Sequence, residues 1–484
     1  MTRFSERTSK SLVWTTLESG GLSIVSFLSL IVFSRLLTPI DFGLTAMALS
    51  IVQILNVPVE LLFHDAFIRS KDASRIQFDT TFTASVTLGV ALCAACWVCA
   101  GLVARAVEQP DLAPVLKWMS LSLPAMGFGS SIIAHQRRIM AFRPLAIRSL
   151  VGRTAAAAIG IGLALLGAGI WSLVAQQVLI VALATAVLWL AAEERPRFRF
   201  SLPALRELGG FGTKSILAVL VGYLVQRAFM LLVGRSLGSA TAGYFNLAFR
   251  CVDALRALVS GAVLQLALPI FSRYQDNPAG LARVFNGSVE LTCVVTYPLF
   301  AALIVVSPDV TEVVFGTKWL AAAPLISILS LISLQYFARQ FVPPLMLAVG
   351  RPLYPLAVQA AALACAGIGM LIVGYHSVNA AACVWVFAYL GPLPLEAWLL
   401  SRATGIGIWA QWRGMPQIAI STGAMIASMA FFHTWAIPAL SPVAKLTLTV
   451  AAGWSVYLTI TIAFNRSLVT RVFEFARSAM RPSA

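Results

Sequence analysis

Charged residues are scarce in this sequence of 484 residues, and that scarcity excludes most soluble classes of protein. Only 11% of the residues are charged, whereas 59% are hydrophobic and the mean hydropathy is +0.86. So little polar surface cannot cover a soluble chain of this length. Cysteine is also scarce, and Cys93, Cys96 and Cys99 recur every third residue without histidine or acidic neighbours. That spacing favours small packing residues over a metal or redox site, so the sequence predicts an integral membrane protein and no metal centre.

Long apolar runs, in contrast, are abundant. A transmembrane helix needs about 20 mostly apolar residues, and about 14 such runs can be placed along the chain. They cover 11–34, 42–67, 80–103, 115–134, 146–166, 170–192, 208–234, 242–268, 284–306, 322–349, 353–374, 378–400, 415–437 and 443–464. The predicted fold class is therefore all-α, a polytopic membrane protein with about 14 transmembrane helices.

The basic residues are distributed asymmetrically between the two sides of these spans. With the N-terminus in the cytoplasm, most of the 35 lysines and arginines fall on the inner side. Those on the outer side are Arg35, Arg105, Lys117, Arg235, Lys318 and Lys445. This is the positive-inside pattern. It explains the net charge of +16 by the orientation of the chain in the membrane rather than by nucleic-acid binding. It predicts that both termini are cytoplasmic and that the first span is an uncleaved anchor.

One turn of the sequence occurs twice. Its two copies are SRLLTPIDFGLTAMA at 34–48 and GRSLGSATAGYFNLA at 234–248. They align at an offset of 200, which matches Gly43 with Gly243. In the first copy, Thr38 and Asp41 have the spacing of a capping box, which predicts that a helix begins there. The copies join spans one and two and spans seven and eight, so we expect both turns on the outer side.

This recurrence predicts a duplicated architecture. Two six-helix halves in the same orientation form the parallel repeat of transporters that bind substrate between their halves. The arginine-rich inner connection at 193–206 is the seam between them. The predicted domains are an N-terminal six-helix bundle at 1–200, a second bundle at 201–402, and two additional helices with a cytoplasmic tail at 403–484.

The chain resembles the polysaccharide transporter family of Wzx-type flippases, in the multidrug, oligosaccharidyl-lipid and polysaccharide (MOP) exporter superfamily. The resemblance lies in Arg35, Leu36, Leu37, Thr38, Pro39, Asp41, Phe42 and Gly43, in Gly243, Tyr244, Asn246, Leu247 and Ala248, and in LALPIFSRYQ at 266–275. It implies export of undecaprenyl-diphosphate-linked oligosaccharide repeat units across the bacterial inner membrane for exopolysaccharide, capsule or O-antigen synthesis.

One feature of the related peptidoglycan-precursor flippases is only partly present. In those proteins, arginines on the first, second and eighth helices line the cavity. Here the first span carries Glu18 and the second carries Glu60 and His64. Therefore only the arginines of the eighth helix correspond, in residue type, to the cavity-lining arginines of those flippases.

Ionisable residues inside predicted spans are the candidates for a substrate site, because a charge in a bilayer needs a partner or water. Arg250, Asp253 and Arg256 lie three residues apart on one face of span eight, with the acid between the bases. They form either an internal salt-bridge ladder or the lining of a cavity for the substrate diphosphate. The further candidates for binding substrate are Arg153, Arg227 and Arg339.

A second polar stripe predicts a coupling site. Asn56, Glu60 and His64 recur every fourth residue on span two. Because histidine titrates near neutral pH, Glu60 and His64 are candidates to couple transport to a proton or sodium gradient. A purely structural hydrogen-bonded stripe is the alternative. No cofactor is expected otherwise.

Three functions remain open at this point. A multispanning polymerase or glycosyltransferase of the same pathway is an enzyme that usually needs a large outer loop with catalytic acids, whereas the outer connections here are short. A multidrug or small-solute exporter of the same superfamily is the other alternative, because a fold does not identify a substrate. The favoured function is a non-enzymatic flippase working by alternating access. Its partners would be the lipid-linked oligosaccharide, membrane lipid, and the polysaccharide polymerase and export machinery, with no nucleic acid.

Overall fold

The computed structural model describes residues 2–61, 67, 74–373, 377–436 and 441–464. Side chains are described for these residues except 2–17, 61, 207–219, 221–226, 261–263, 265, 266, 373 and 436. Throughout this part of the chain the secondary structure is helical, with no strand, so the predicted all-α fold class is confirmed. The chain packs into two compact units, Met1–Leu258 and Val259–Ala484.

The first unit contains the helices as far as Leu258. They are α1 (Thr2–Leu36), α2 (Pro39–Leu61), α3 (Arg75–Ala106), α4 (Leu112–Met119), α5 (Ser122–Arg138), α6 (Phe142–Leu165), α7 (Ile170–Ala191) and α8 (Leu202–Ser272) up to that residue. Helices α3 and α5 approach closely because Gly89 and Gly127 each face backbone of the other helix. Small residues at a contact allow such an approach in membrane helices.

Helix α8 consists of two helices that meet at Gly238. Its residues Leu202–Ser272 are helical on both sides, but Gly238 has φ 85° and ψ 166°. That conformation is essentially restricted to glycine. It coincides with the second copy of the repeated turn, so the predicted spans seven and eight correspond to the two parts of α8.

The second unit contains α9 (Pro278–Val310), α10 (Ala323–Arg339), α11 (Val342–Ala348), α12 (Leu353–Val373), α13 (Val378–Leu390), α14 (Leu393–Thr404), α15 (Met415–Phe431) and α16 (Pro442–Phe464). A π-helical segment, Thr311–Phe315, extends α9, and another, Phe432–Ala436, extends α15. Helices α9, α15 and α16 pack together, and the Tyr457 hydroxyl donates a hydrogen bond of 2.9 Å to the Val294 carbonyl.

The described helices include 11 that are long and apolar enough to cross a membrane. The remaining predicted spans fall on α4–α5, which is interrupted at Ser120 and Leu121, and on α8, part of whose side chains lies outside the described set. The number of spans is therefore compatible with the predicted 14. The packing boundary at Leu258 is a different property from the repeat boundary at residue 200, so the domains 1–200, 201–402 and 403–484 stay a prediction.

Candidate functional site

The two copies of the repeated turn contact each other within the first unit. A Cβ atom on Gly43 would collide with the Ser239 carbonyl oxygen, and one on Gly243 would collide with the Pro39 carbonyl oxygen. Pro39 aligns with Ser239, and Gly43 aligns with Gly243, at the same offset of 200. The contact is therefore reciprocal, as at a local two-fold axis. It joins α2 to the second part of α8 with their backbones touching.

Polar contacts hold this crossing in place. The Thr38 amide donates to Asp41 Oδ2 at 2.9 Å, and the Asp41 amide donates to Thr38 Oγ1 at 3.3 Å. This confirms the predicted capping box and fixes the start of α2. Asn246 of α8 donates from Nδ2 to the Phe42 carbonyl at 3.3 Å. Thr38 and Asp41 therefore fix the start of α2 beside the crossing, and Asn246 ties α8 to it.

Beyond the crossing, Arg250 of α8 faces α2 and α6. Its guanidinium carbon lies 6.0 Å from the ring centroid of Phe42. Arg153 of α6 lies close enough for the two positive charges to repel each other. Arg153 is itself anchored, because Nη1 donates to Ser26 Oγ of α1 at 2.7 Å. Among the described side chains, no carboxylate lies within ion-pair distance of Arg250 or Arg153.

The rest of the span-eight triplet forms a different arrangement. Arg256 Nη1 lies 3.4 Å from Asp253 Oδ1, and the aspartate side chain is 58% exposed whereas the arginine side chain is 12% exposed. Arg227, in the first part of α8, is near enough for its charge to attract Asp253. Asp253 therefore lies near both Arg256 and Arg227, and we call these three residues the Asp253 group; it contains a carboxylate, whereas none lies within ion-pair distance of Arg250 among the described side chains.

A third group of charges joins α1, α2 and α6. Arg148 of α6 is attracted by both Glu60 of α2 and Glu18 of α1. Its Nε atom is buried without a hydrogen-bond acceptor among the described residues. Arg148 is one of the basic residues that the positive-inside pattern assigns to the inner side, yet it lies two residues inside predicted span five; that position was the available signal for a site residue.

The coupling stripe on α2 is described only in part. The side-chain oxygens of Asn56 and Gln53 are buried and accept no hydrogen bond from the described residues. Glu60 lies close enough to Arg148 for the two charges to attract each other. His64 lies outside the described residues. The described part of the stripe thus presents oxygen atoms that can accept a hydrogen bond or bind a cation.

Arg339 occupies a separate position in the second unit. Its Nε lies 3.2 Å from Glu396 Oε2, its Nη1 donates to Gln411 Oε1 at 3.1 Å, and its guanidinium carbon lies 5.3 Å from the Trp412 ring centroid. Only 4% of the side chain is exposed. The guanidinium is therefore buried and ion-paired within the second unit, although its Nη2 has no hydrogen-bond partner among the described residues. The role of Arg339 in substrate binding stays a prediction.

Comparison with known proteins gives consistent matches over most of the chain. The model of a family described as "Polysaccharide biosynthesis protein" matches residues 32–324. The succinoglycan biosynthesis transport protein ExoT of Rhizobium meliloti is 26% identical over 98% of this chain and 96% of its own. The lipopolysaccharide biosynthesis protein WzxC of Escherichia coli is 23% identical over 68% of this chain and 67% of its own.

Among solved structures, the lipid II flippase MurJ in an inward closed conformation has the same fold. The TM-score is 0.73, at 12% sequence identity, and the match covers 97% of this chain and 100% of the other. At that identity the similarity establishes the fold alone. It agrees with the all-α membrane architecture described above.

Proposed function

Because the chain belongs to the polysaccharide biosynthesis protein family, we propose that it is a flippase for undecaprenyl-diphosphate-linked oligosaccharide repeat units. It is a membrane transporter rather than an enzyme, as its relatives and fold indicate. The relatives are named for succinoglycan transport and lipopolysaccharide biosynthesis. The transported glycan would serve exopolysaccharide, capsule or O-antigen synthesis in the bacterial inner membrane, with both termini of the chain in the cytoplasm.

The observation that carries this proposal is the pair Arg153 and Arg250. Two cations near each other, without a carboxylate within ion-pair distance among the described side chains, repel each other most strongly in a poorly hydrated site. A diphosphate bound between them removes that repulsion. Guanidinium groups also suit the ligand, because their planar donors bind phosphate oxygens in pairs. The substrate head group is therefore the anion that this pair lacks.

The Asp253 group, which consists of Arg256, Arg227 and Asp253, would allow the head group to be released. Arg256 and Arg227 share Asp253. An incoming phosphate competes with Asp253 for these arginines, and the carboxylate takes them back when the phosphate leaves. Such competition limits the affinity of the site, which transport requires because a trapped anion does not move on.

Alternating access would then depend on the crossing of α2 and α8. The contact between Gly43 and Gly243 closes the backbone of the two helices against each other. We expect it to part when the head group is released on the outer side. The energy source would be a proton or sodium gradient acting at Glu60, whose partner is Arg148, together with Asn56 and His64. No other cofactor is proposed.

A leaflet-resolved assay tests the assignment. A strain that lacks the protein should accumulate lipid-linked oligosaccharide in the inner leaflet, and the purified protein in proteoliposomes should make that glycolipid accessible to periodate from the opposite side. The control is the same assay with the Arg153→Gln/Arg250→Gln double variant. Normal glycan export in the deletion strain, or transport of a lipid that lacks the diphosphate at the same rate, would contradict the proposal. Resistance to drugs as the only phenotype would indicate a small-solute exporter.

A further inference from the structure

A basic cavity lies in the first unit, apart from the Arg153 and Arg250 pair. Its volume is about 800 Å³. It is bounded by the start of α3, the end of α5 and the connection that follows α7. Its lining consists of Phe67, Ser74, Arg75, Phe78, His135, Arg138, Ile139, Glu193, Glu194, Arg195, Pro196 and Arg197. None of the candidate substrate or coupling residues belongs to this lining.

Arginines dominate the polar part of the cavity wall. Arg75, Arg138, Arg195 and Arg197 exceed the two glutamates of the lining and the adjacent Asp79 by one positive charge. The first residues of α3, where the helix dipole favours an anion, lie in the same wall. The cavity therefore has the charge of an anion site.

Two of these arginines are held in place by contacts with a carboxylate and with backbone carbonyls. Arg75 Nη1 lies 3.2 Å from Glu194 Oε2, and its Nη2 donates to the Arg195 carbonyl. Arg138 Nη1 donates to the Phe67 carbonyl at 3.1 Å. Such anchoring orients a guanidinium before a ligand arrives, which reduces the entropy lost on binding.

The connection after α7 is tied to α3 by the buried Asp79. Its Oδ1 accepts a hydrogen bond of 2.9 Å from the Arg197 backbone amide and lies 3.5 Å from Arg75 Nε. The side chains of Arg195 and Arg197 remain exposed. The fold of this connection therefore depends on the backbone of Arg195 and Arg197, and leaves their charges available.

The floor of the cavity and its surroundings are apolar. Phe67 and Phe78 have ring centroids 5.8 Å apart and belong to a buried hydrophobic cluster. Ile139 of the lining is more than half exposed, as are Leu190 and Phe198 outside the cavity. In a membrane protein such residues contact lipid chains. A ligand of this site would therefore have an anionic head and an apolar tail.

We propose that this cavity binds the phosphate head group of an anionic membrane phospholipid, with its acyl chains over Ile139, Leu190 and Phe198. The predicted topology places the cavity at the cytoplasmic leaflet, where basic pockets between transmembrane helices bind anionic head groups. The site is independent of the proposed transport function. It anchors the connection between the sixth and seventh predicted spans to lipid.

The test compares two double variants with equal loss of charge. Arg195→Ser/Arg197→Ser removes charges from the cavity and keeps both backbone contacts. Arg199→Ser/Arg206→Ser removes two exposed arginines outside the cavity and is the matched control. Native mass spectrometry of the delipidated protein, titrated with phosphatidylglycerol, measures binding. With about 1 kcal/mol per arginine near an anionic lipid, we expect about 30-fold weaker binding for the cavity variant and little change for the control.

Two comparisons identify the ligand source. Phosphatidylcholine should bind equally to all three proteins, and inorganic phosphate at millimolar concentration should not displace phosphatidylglycerol. Equal affinity of the cavity variant and the control would overturn the proposal. Displacement by inorganic phosphate alone would replace the lipid with a soluble phosphate ligand. Circular dichroism and thermal melting establish that each variant is folded, and no step requires transport activity.

Discussion

Arg250 and Arg153 differ from Arg339 and Arg256 in how their charge is balanced. Arg339 is neutralised by Glu396, and Arg256 lies beside Asp253. Arg153 instead contacts a neutral hydroxyl, and Arg250 faces an aromatic ring. The free energy of a buried cation without a counter-ion is unfavourable. At the scale of single residues, this difference separates the two arginines that need an anion from those that already have a carboxylate beside them.

Substitution of Arg250 should therefore affect transport more than substitution of Arg256. A charged hydrogen bond contributes about 1.5–3 kcal/mol, so Arg250→Gln should lower the transport rate by about 10- to 100-fold. Arg250→Lys keeps the charge without the paired donors and should retain partial activity. Arg256→Gln leaves Asp253 with Arg227 and should cost less. The measurement is glycolipid translocation in proteoliposomes at equal protein density.

Arg105→Gln serves as the control for this series. Arg105 is exposed, and its Nε donates only to the Gly101 carbonyl at 3.3 Å. This variant should transport at the parental rate. A larger loss of transport rate for Arg256→Gln than for Arg250→Gln would show that the Asp253 group, and not Arg250, holds the head group.

Arg148 should stabilise the protein through its two carboxylates. Arg148→Gln leaves Glu18 and Glu60 without their shared cation, and an unpartnered buried polar group costs about 1–3 kcal/mol. We expect a lower melting temperature in detergent. Adding Glu60→Gln to Arg148→Gln should recover part of the loss, because one of the two facing negative charges is then removed. Additive losses in the double variant would rule out a direct interaction between the two residues.

At the scale of helices, the repeated turn is where the sequence was most informative. The Thr38 and Asp41 capping box and the alignment of Gly43 with Gly243 were both readable from residue spacing. Spacing does not reveal that the two copies touch, because that contact lies 200 residues apart in the chain. The interruption at Ser120 and Leu121 was also not predicted, although Pro124 cannot donate the backbone hydrogen bond to the Ser120 carbonyl that a continuous helix needs.

The crossing predicts an asymmetry among glycine substitutions. Gly43→Ala and Gly243→Ala place a Cβ against a backbone carbonyl, which cannot move away as a side chain can. Overpacking costs about 1–3 kcal/mol, so both variants should melt earlier and transport poorly. Gly101 and Gly162 lie in helices with open space around them. Their alanine variants should be neutral or about 0.5–1 kcal/mol more stable. A Gly43→Ala protein as stable as Gly101→Ala would mean that the two helices do not pack so closely.

At the scale of the whole molecule, composition was sufficient for the fold class but not for the site. Hydropathy and length identify membrane helices because every helix must match the same bilayer. Charge roles depend instead on neighbours. Arg339 and Arg153 both read as single charges inside spans, and only the packed helices distinguish a neutralised arginine from an unbalanced one. Arg148 shows the same ambiguity, because the positive-inside pattern explains its position without reference to Glu18 and Glu60.

The topology itself is the prediction that belongs to this scale, and cysteine labelling tests it. In a variant without the seven native cysteines, Ile40→Cys and Ala240→Cys should both react with a membrane-impermeant maleimide added outside the inner membrane. Both positions lie in the copies of the repeated turn, which the charge distribution places on the outer side. Phe200→Cys, at an exposed position of the inner connection, should react only after the membrane is permeabilised. Because the reagent carries a fixed charge, its access depends on the side of the membrane and not on the polarity of the local site. Opposite accessibility of positions 40 and 240 would exclude a parallel arrangement of the two halves, since an even number of spans between the turns must return the chain to the same side.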